Sequence, residues 1–476
     1  MLASRTFGAE DQTRFAVLSG DFNPLHMDPV AARRTQAGAP VVHGIHVLLW
    51  LLDTIAASRT DISNVATLKV RFSKMVYLGD RVDACLTQLT TEVVRAKVSV
   101  GGVEVVKFLA ELGSVRAASD PPCPSLVETV PHQTSPCDLA LEEMEGRCGR
   151  VSFATGATAF GAAFPDAARL LGARRIAALG CSTYLVGMVV PGLHSTYGGL
   201  DLSLTSDAYR TDELCFAVTS VDARFRRILV QISGAGLAGS LVTFSRMPPE
   251  RQPSIDAAAS LVKPGEFNSS VALVVGGSRG LGEVAAKLIA AGGGKVIITY
   301  ATGAIDAQNL AAQINGWGGQ CEVSAYDARC DAYQQLQGLS EPPTHFYYFA
   351  TPTIFRRKAG LCARERLDEF NQFYLHGFYG LVEAACRLRP EGISVFYPST
   401  VYVQDRPADM TEYAMSKAAG EVLCADIARF MPRVRVITQR LPRLPTDQTA
   451  SLIRAKSANP LEVMLPIIRK MHQPMR

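Results

Sequence analysis

The sequence predicts two successive α+β modules, each an apolar helix enclosed by antiparallel strands, followed by an α/β doubly wound domain. Three observations predict this. The stretch Gly44 to Ala57 is apolar nearly all round, as a helix enclosed by protein must be, and strand-like runs follow it. A second such stretch, Ala177 to Val190, is again followed by strand-like runs. From Val271 the pattern changes to an apolar strand, a glycine-rich turn and a helix, after which strands and helices alternate.

The 476 residues exceed one ordinary core, and at roughly 150 residues per domain about three domains are expected. Two proline-rich stretches, Asp120-Pro121-Pro122-Cys123-Pro124 onward to Pro136 and Pro248-Pro249 onward to Pro264-Gly265, punctuate the chain. Proline lacks an amide donor and fixes φ, so both read as linkers. The expected domains are 1–118, 149–247 and 269–476, with linkers 119–148 and 248–268.

Composition narrows the function classes. With 48% apolar and 19% charged residues the chain is a well-packed globular protein. A net charge of +4 without any long run of Lys or Arg argues against a nucleic-acid footprint or a polybasic membrane anchor. The longest apolar run falls far short of the ~20 residues of a membrane span, and Met1-Leu2-Ala3-Ser4-Arg5 lacks a signal-peptide core, so a cytoplasmic location is expected. Eleven cysteines at irregular spacing, without a Cys-x-x-Cys pair, read as reduced packing thiols.

In the first block the helix from Gly44 to Ala57 precedes Leu68, Val70 and Phe72, which alternate with Lys69, Arg71 and Ser73 as in a half-buried strand. Two further strands, Val94 to Val100 and Val103 to Glu111, flank Gly101-Gly102. One buried helix followed by antiparallel strands is the plan of a hot-dog fold. The second block has strand-like runs at Leu200 to Leu204, Leu214 to Val221, Arg227 to Ile232 and Leu241 to Phe244, and reads as a second, weaker hot dog.

Ser19-Gly20-Asp21-Phe22-Asn23-Pro24-Leu25-His26-Met27-Asp28 places a carboxylate and an imidazole five residues apart. Asn23-Pro24 disfavours a regular helix, so a bent loop is expected to aim both side chains at one water. Adding water to an activated double bond needs a base for the water and an acid for the α-carbon, each step worth roughly 10² to 10⁴ in rate. Gly44 begins the buried helix, where free amide groups and the helix dipole favour a developing oxyanion. The acyl chain is expected along Ile45, Leu48 and Leu49. This S-G-D-x-N-P-x-H-x-D pattern, with His43-Gly44 after it, resembles the MaoC-like (R)-specific enoyl-CoA hydratases over about residues 7–113. The resemblance implies that Asp21 and His26 are the catalytic pair and Gly44 the oxyanion donor. Leu52 stands where some members carry a polar Ser. The second block lacks the motif and resembles the degenerate halves of double hot-dog hydratases, with His194 reading as a loop or capping residue.

In the third block Gly276-Gly277-Ser278-Arg279-Gly280-Leu281-Gly282 lies between a strand and a helix, where glycines admit a pyrophosphate. The second strand ends at Tyr300-Ala301-Thr302 without an acidic residue, and Arg279 supplies a cation, which favours NADP(H) over NAD(H). Asp327 follows the third strand, placed for adenine. Tyr413 and Lys417 lie four apart and share a helix face, where an ammonium lowers the cost of a phenolate. Glycine turn and Tyr413-x-x-x-Lys417 together resemble the Rossmann-type short-chain dehydrogenase/reductase (SDR) family over roughly 269–470.

Several residues depart from the SDR pattern. Thr400 stands at the family's Ser position with Ser399 beside it, and either hydroxyl could hold a carbonyl. Tyr348-Phe349-Ala350-Thr351 replaces N-N-A-G, leaving Ala350 beside the cofactor; Tyr374 replaces the relay Asn; and Pro442-Arg443 replaces P-G. The two resemblances share a 3-hydroxyacyl thioester. They imply NADPH-dependent reduction of a 3-oxoacyl thioester and its dehydration or the reverse hydration, on CoA or acyl carrier protein, in a homo-oligomer. Two alternatives stay open: an SDR domain acting on an unrelated ketone, or one serving as a non-catalytic nucleotide-binding scaffold.

Overall fold

The computed structural model describes residues 1–115, 128–206, 211–355, 360–449 and 457–473. Its contacts divide the chain into two compact units, one essentially residues 1–248 and the other essentially 249–476.

The first unit opens with β1 (Ala3–Thr6), α1 (Ala9–Ser19) and the short helices α2 (Pro24–Met27) and α3 (Pro29–Arg33). The buried helix α4 spans Gly44–Ser58, and β2 (Val65–Phe72), β3 (Arg81–Leu89), β4 (Val93–Val100) and β5 (Val103–Leu112) wrap it. The second half repeats the plan with β6 (Cys148–Ser152), α5 (Ala157–Ala163), α6 (Pro165–Leu171) and α7 (Ala173–Tyr184), the last prolonged by a π-helical turn at Leu185–Val189. Strands β7 (Ser195–Leu204), β8 (Glu213–Asp222), β9 (Arg227–Gly234) and β10 (Leu237–Ser245) complete it. Apolar residues alternate along these strands, so each buries one face against the helices.

The halves are mirror-ordered in one ten-stranded sheet, β1-β3-β4-β5-β2-β7-β10-β9-β8-β6. The seam is the antiparallel pair β2–β7, with Leu68 opposite Leu202 and Arg71 opposite Gly199. A Cβ at Gly199 would meet the Val70 carbonyl at 2.4 Å, so glycine lets the strands close there. Behind the sheet, one core cluster takes residues from both halves. Asp53 on α4 accepts from the amides of Asp166 and Ala167 at 2.9 Å, tying the first helix to the start of α6.

The second unit contains α8 (Ile255–Ala259), β11 (Val271–Val275), α9 (Gly280–Ala291), β12 (Lys295–Tyr300), α10 (Ala304–Trp317), β13 (Gln320–Ala325) and α11 (Ala332–Leu336). It continues with β14 (His345–Tyr348), α12 (Arg364–Asn371), a π-helical turn at Gln372–Gly377, α13 (Phe378–Leu388) and β15 (Ile393–Thr400). The short α14 (Tyr402–Asp405), α15 (Thr411–Phe430), β16 (Val434–Leu441) and α16 (Pro460–Met471) complete it. All strands pair in parallel in the order β13-β12-β11-β14-β15-β16, the doubly wound 3-2-1-4-5-6 arrangement.

Three expectations change. The segment expected as linker 248–268 places Ile255, Ala258, Val262 and Phe267 in the core of the second unit, where Ser254 caps α8. Of the expected linker 119–148, residues up to 127 lie outside the described ones, but Val130 and Leu139 pack on the core and Met144 is buried within it. Cys215 is disulfide-bonded, which departs from the all-thiol expectation. No described helix is long and apolar enough to cross a membrane.

Gly180 on α7 is a tight point of the packing, because a Cβ there would meet the Phe160 ring at 2.0 Å. Gly180→Ala is therefore expected to destabilise the first unit by about 1–3 kcal/mol, read as a lower midpoint in chemical or thermal unfolding.

Candidate active site

Asp21 follows the C-cap of α1, Gly20, whose φ of 82° turns the chain out of the helix. The expected bent loop is in fact a one-turn helix, because Asn23 caps it and Pro24 occupies its first position, where a proline is tolerated. Asp21 therefore lies just before this turn and His26 within it. The Asn23 amide group also donates to the carbonyls of Gly187 (2.8 Å) and Gly192 (3.1 Å), so the motif is tied to the second half of the unit.

The Asp21 carboxylate is 1% exposed. A buried charge needs donors, and it has two: Thr183 Oγ1 at 2.7 Å and the Asn23 amide at 3.1 Å. Thr183 comes from α7, 162 residues away, and Gly187 in the following π-turn makes room: a Cβ there would meet Asp21 Oδ1 at 2.3 Å. Desolvation holds the Asp21 carboxyl above its usual range, opposed by His26 and the two donors. His26 Nδ1 lies 2.8 Å from the Val41 carbonyl, so Nδ1 carries the proton and Nε2 keeps its lone pair. Burial pulls the His26 imidazole below its ordinary value, against Asp21, which raises it.

His43 stacks on His26 with ring centres 3.9 Å apart, and its Nε2 lies 3.0 Å from the Asp21 carbonyl. Burial, then His26, drives its pKa well down, so it is a neutral wall of the site. One ligand-type atom from each of Asp21, His26 and His43 lies within 4.8 Å of the others. Their placement admits a water to Asp21 and His26 together.

These residues open into a cavity of about 190 Å³, lined by Asp21, His26, Gly44, Val47, Phe72 and Val186 among others. Gly44 begins α4, an end that no side chain caps, so its amide is among those without an intrahelical partner. The apolar wall of this cavity is not made by the residues expected for it. Ile45, Leu48 and Leu49 are turned fully into the core, and the apolar wall is Val47, Phe72, Val106 and Val186. Leu52 is likewise a core residue. His194 lies 3.3 Å from Asp138 and does not line this cavity.

In the second unit the turn after β11 has the expected glycine cradle. A Cβ on Gly282 would meet the Gly276 carbonyl at 2.4 Å, and one on Gly276, whose φ is +76°, would press on the backbone of Phe349 and Ala350 at 3.1 Å. Ser278 is buried, and Gly280 and Leu281 open α9. This arrangement fits a dinucleotide pyrophosphate at a helix N-terminus. Tyr300 ends β12 as expected, but Arg279 already pairs with Asp447 at 3.1 Å. Both carboxylate oxygens of Asp327 bond Arg329, which holds its pKa down.

Tyr413 and Lys417 share α15, and the Thr400 hydroxyl lies near enough to the Tyr413 phenol to oppose, in part, the rise that burial causes. Ser399 instead donates to Glu421 at 2.5 Å, because successive side chains of a strand point to opposite sides. Of the two hydroxyls, only Thr400 is brought to the phenol. The expected help from Lys417 is also different. Its ammonium sits 3.8 Å from the Tyr374 ring centre and 6.0 Å from that of Tyr413, and donates to the Pro398 carbonyl at 2.7 Å. Desolvation brings Lys417 down to about 7 and pushes the Tyr413 phenol up, so the phenol is held protonated. Tyr374, in the π-turn, bonds Thr351 at 2.5 Å.

The first unit is a double hot dog whose N-terminal half carries a MaoC-like domain, and the second has the doubly wound, parallel sheet of a Rossmann-type fold. Residues 2–107 match the family model described as "MaoC like domain". The (R)-specific enoyl-CoA hydratase of Aeromonas caviae is 37% identical over 83 residues, 17% of this chain and 61% of that one. The peroxisomal hydratase-dehydrogenase-epimerase of Saccharomyces cerevisiae is 39% identical over 71 residues, 15% of this chain and 8% of that one. A short chain dehydrogenase of Passalora fulva is 34% identical over 83 residues, 17% of this chain and 31% of that one. The chain thus spans less than two thirds of the length of each of these relatives. Among solved structures, a short-chain dehydrogenase/reductase from Serratia marcescens is 23% identical with a TM-score of 0.36, covering 39% of this chain and 78% of that one.

One measurement checks the electrostatics of the second site. The Lys417 ¹³Cε resonance, assigned by its loss in Lys417→Arg, is expected to titrate near 7 while exposed lysines titrate at their ordinary, higher values.

Proposed function

We propose that the first unit interconverts trans-2-enoyl and (R)-3-hydroxyacyl thioesters by adding or removing water. The observation that carries this reading is one cavity reached together by a buried carboxylate, a neutral imidazole with a free Nε2, and the uncapped start of α4. A water held by Asp21 and His26 loses a proton to one of them as its oxygen bonds the β-carbon. The α-carbon then takes a proton as the enolate collapses, and the Gly44 amide stabilises the thioester oxygen that carries the charge. Thr183 holds one Asp21 oxygen and the Asn23 N–H the other, so the water shares an oxygen that keeps a further lone pair. The names of the relatives from Aeromonas caviae and Saccharomyces cerevisiae support this substrate class.

The second unit, in the same reading, reduces the ketone of a 3-oxoacyl thioester. NADP(H), when bound, supplies the hydride; Gly276, Gly280 and Gly282 would cradle it, with Ser278, Leu281, Tyr300, Asp327 and Ala350 around it. A cation at Arg279 without an acidic residue at the end of β12 favours the 2′-phosphate, once Arg279 exchanges Asp447 for it. Tyr413, held protonated, donates its proton to the ketone oxygen, and Thr400 hydrogen-bonds that oxygen. A protonated phenol suits reduction over oxidation, which places dehydration after it and makes the 3-hydroxyacyl thioester common to both sites.

Asp21→Asn and His26→Gln are each expected to lower hydration of crotonyl-CoA by about 10² to 10⁴ with the fold retained, measured as loss of enoyl absorbance. Thr183→Val, which leaves the carboxylate short of a donor, is expected to cost about 10- to 100-fold, and Thr183→Ser to restore most of it. The Asp21 carboxyl titrates above 3.8, so kcat/KM must fall on acidification at a higher pH than for a free aspartate. Full hydration by Asp21→Asn overturns the reading. Tyr413→Phe is expected to remove NADPH oxidation with a 3-oxoacyl thioester and leave crotonyl-CoA hydration unchanged. Binding of NADPH with no reduction of any ketone by the wild-type chain would favour the scaffold reading, which the turn of Lys417 toward Tyr374 supports.

A further inference from the structure

The outer face of the ten-stranded sheet carries a concentration of positive charge that the chemistry above does not use. Lys69 and Arg71 on β2, Lys107 on β5, and Arg95 and Lys97 on β4 line a groove of about 410 Å³ on adjacent strands. Arg71 lies directly opposite Lys107, and Lys107 directly opposite Lys97, so three like charges stand side by side across the sheet. Such pairs oppose folding. Only two carboxylates answer them: Asp201 pairs Lys69 at 3.3 Å and Glu104 pairs Lys107 at 3.2 Å. Among the described residues Arg71, Arg95 and Lys97 have no ion pair, and the groove retains a clear positive excess.

The groove is not built for a nucleotide or a small phosphate. Its one aromatic residue, Phe108, is 5% exposed and faces the core, so no base can stack there. The strand amides are spent in the ladders, and its only side-chain hydroxyl is that of Thr87. What remains is positive charge spread over three neighbouring strands at roughly 4.8 Å spacing, which matches a broad carboxylate-bearing surface. Strands β2 and β5 supply residues to both the groove and the cavity. Arg71 and Lys107 point outward while the adjoining Phe72 and Val106 line the active-site cavity, and Ser73 and Lys74 follow on its rim.

Building on the hydratase reading, we propose that this face docks the acidic surface of a thioester carrier protein, whose tethered acyl arm passes the Ser73–Lys74 rim into the cavity. The test uses the full chain, an acidic acyl carrier protein in its holo form for binding, and the same carrier loaded with a crotonyl group for turnover. Lys97→Glu/Lys107→Glu is expected to weaken carrier binding about tenfold or more, flatten its salt dependence and raise KM for crotonyl-carrier with kcat unchanged. Turnover of crotonyl-CoA is expected to stay at the wild-type level, which also controls for folding. The proposal is overturned if the wild-type chain does not bind the carrier, if the charge reversal leaves binding unchanged, or if KM for crotonyl-CoA rises equally, since the face would then read the phosphates of CoA. If the wild-type chain binds the carrier but hydrates neither thioester, the hydratase reading fails and the docking face stands.

Discussion

A carboxylate buried to 1% exposure can stay ionised only if the protein supplies it with donors, and this requirement at Asp21 organises the first unit. Its own loop offers one donor, the Asn23 amide. The other, Thr183, belongs to a helix of the second half, and Asn23 reaches back to the carbonyls that follow that helix. The half that lacks the Asp–His motif is thus a structural part of the site. The seam β2–β7, closed by Gly199, and the bond from Asp53 to α6 hold the halves in the register that this contact needs.

The two sites handle desolvation differently. In the first, burial raises Asp21 and lowers His26, which brings a carboxylate and an imidazole toward a common proton affinity. In the second, burial raises Tyr413 and lowers Lys417, and the ammonium faces aromatic rings instead of the phenol. Cation–π contact with Tyr374 partly replaces the lost hydration, at about 0.5–2 kcal/mol in general.

Much of this was legible from local patterns. The helix Gly44–Ser58, the strand Val271–Val275 and the alternation of strands in both halves follow from hydrophobic periodicity, which acts over a few residues. The Asp21–His26 spacing and the glycine cradle are local for the same reason. Thr183 and Gly187 were not legible, since a threonine and a glycine in an apolar helix carry no sign of a partner 162 residues away. The choice of Thr400 over Ser399 depended on which side of β15 faces α15, and the tilt of Lys417 toward Tyr374 on how the π-turn at Gln372–Gly377 packs. The inward rotation of Leu48 and Leu49 was hidden because a helix apolar all round does not mark its cavity face. Apolar residues among the prolines before β11 were read as connection, although Ile255 and Phe267 are core.

Because β2 and β7 belong to the same polypeptide, the encounter of Thr183 with Asp21 is intramolecular. Its completeness does not vary with protein concentration, as it would for halves on separate subunits. Dilution in an assay or a cell leaves each molecule with this pocket whole. The second half, freed from carrying a duplicate of the Asp–His motif, can accept substitutions that reshape the cavity wall at Val186 without touching Asp21 or His26.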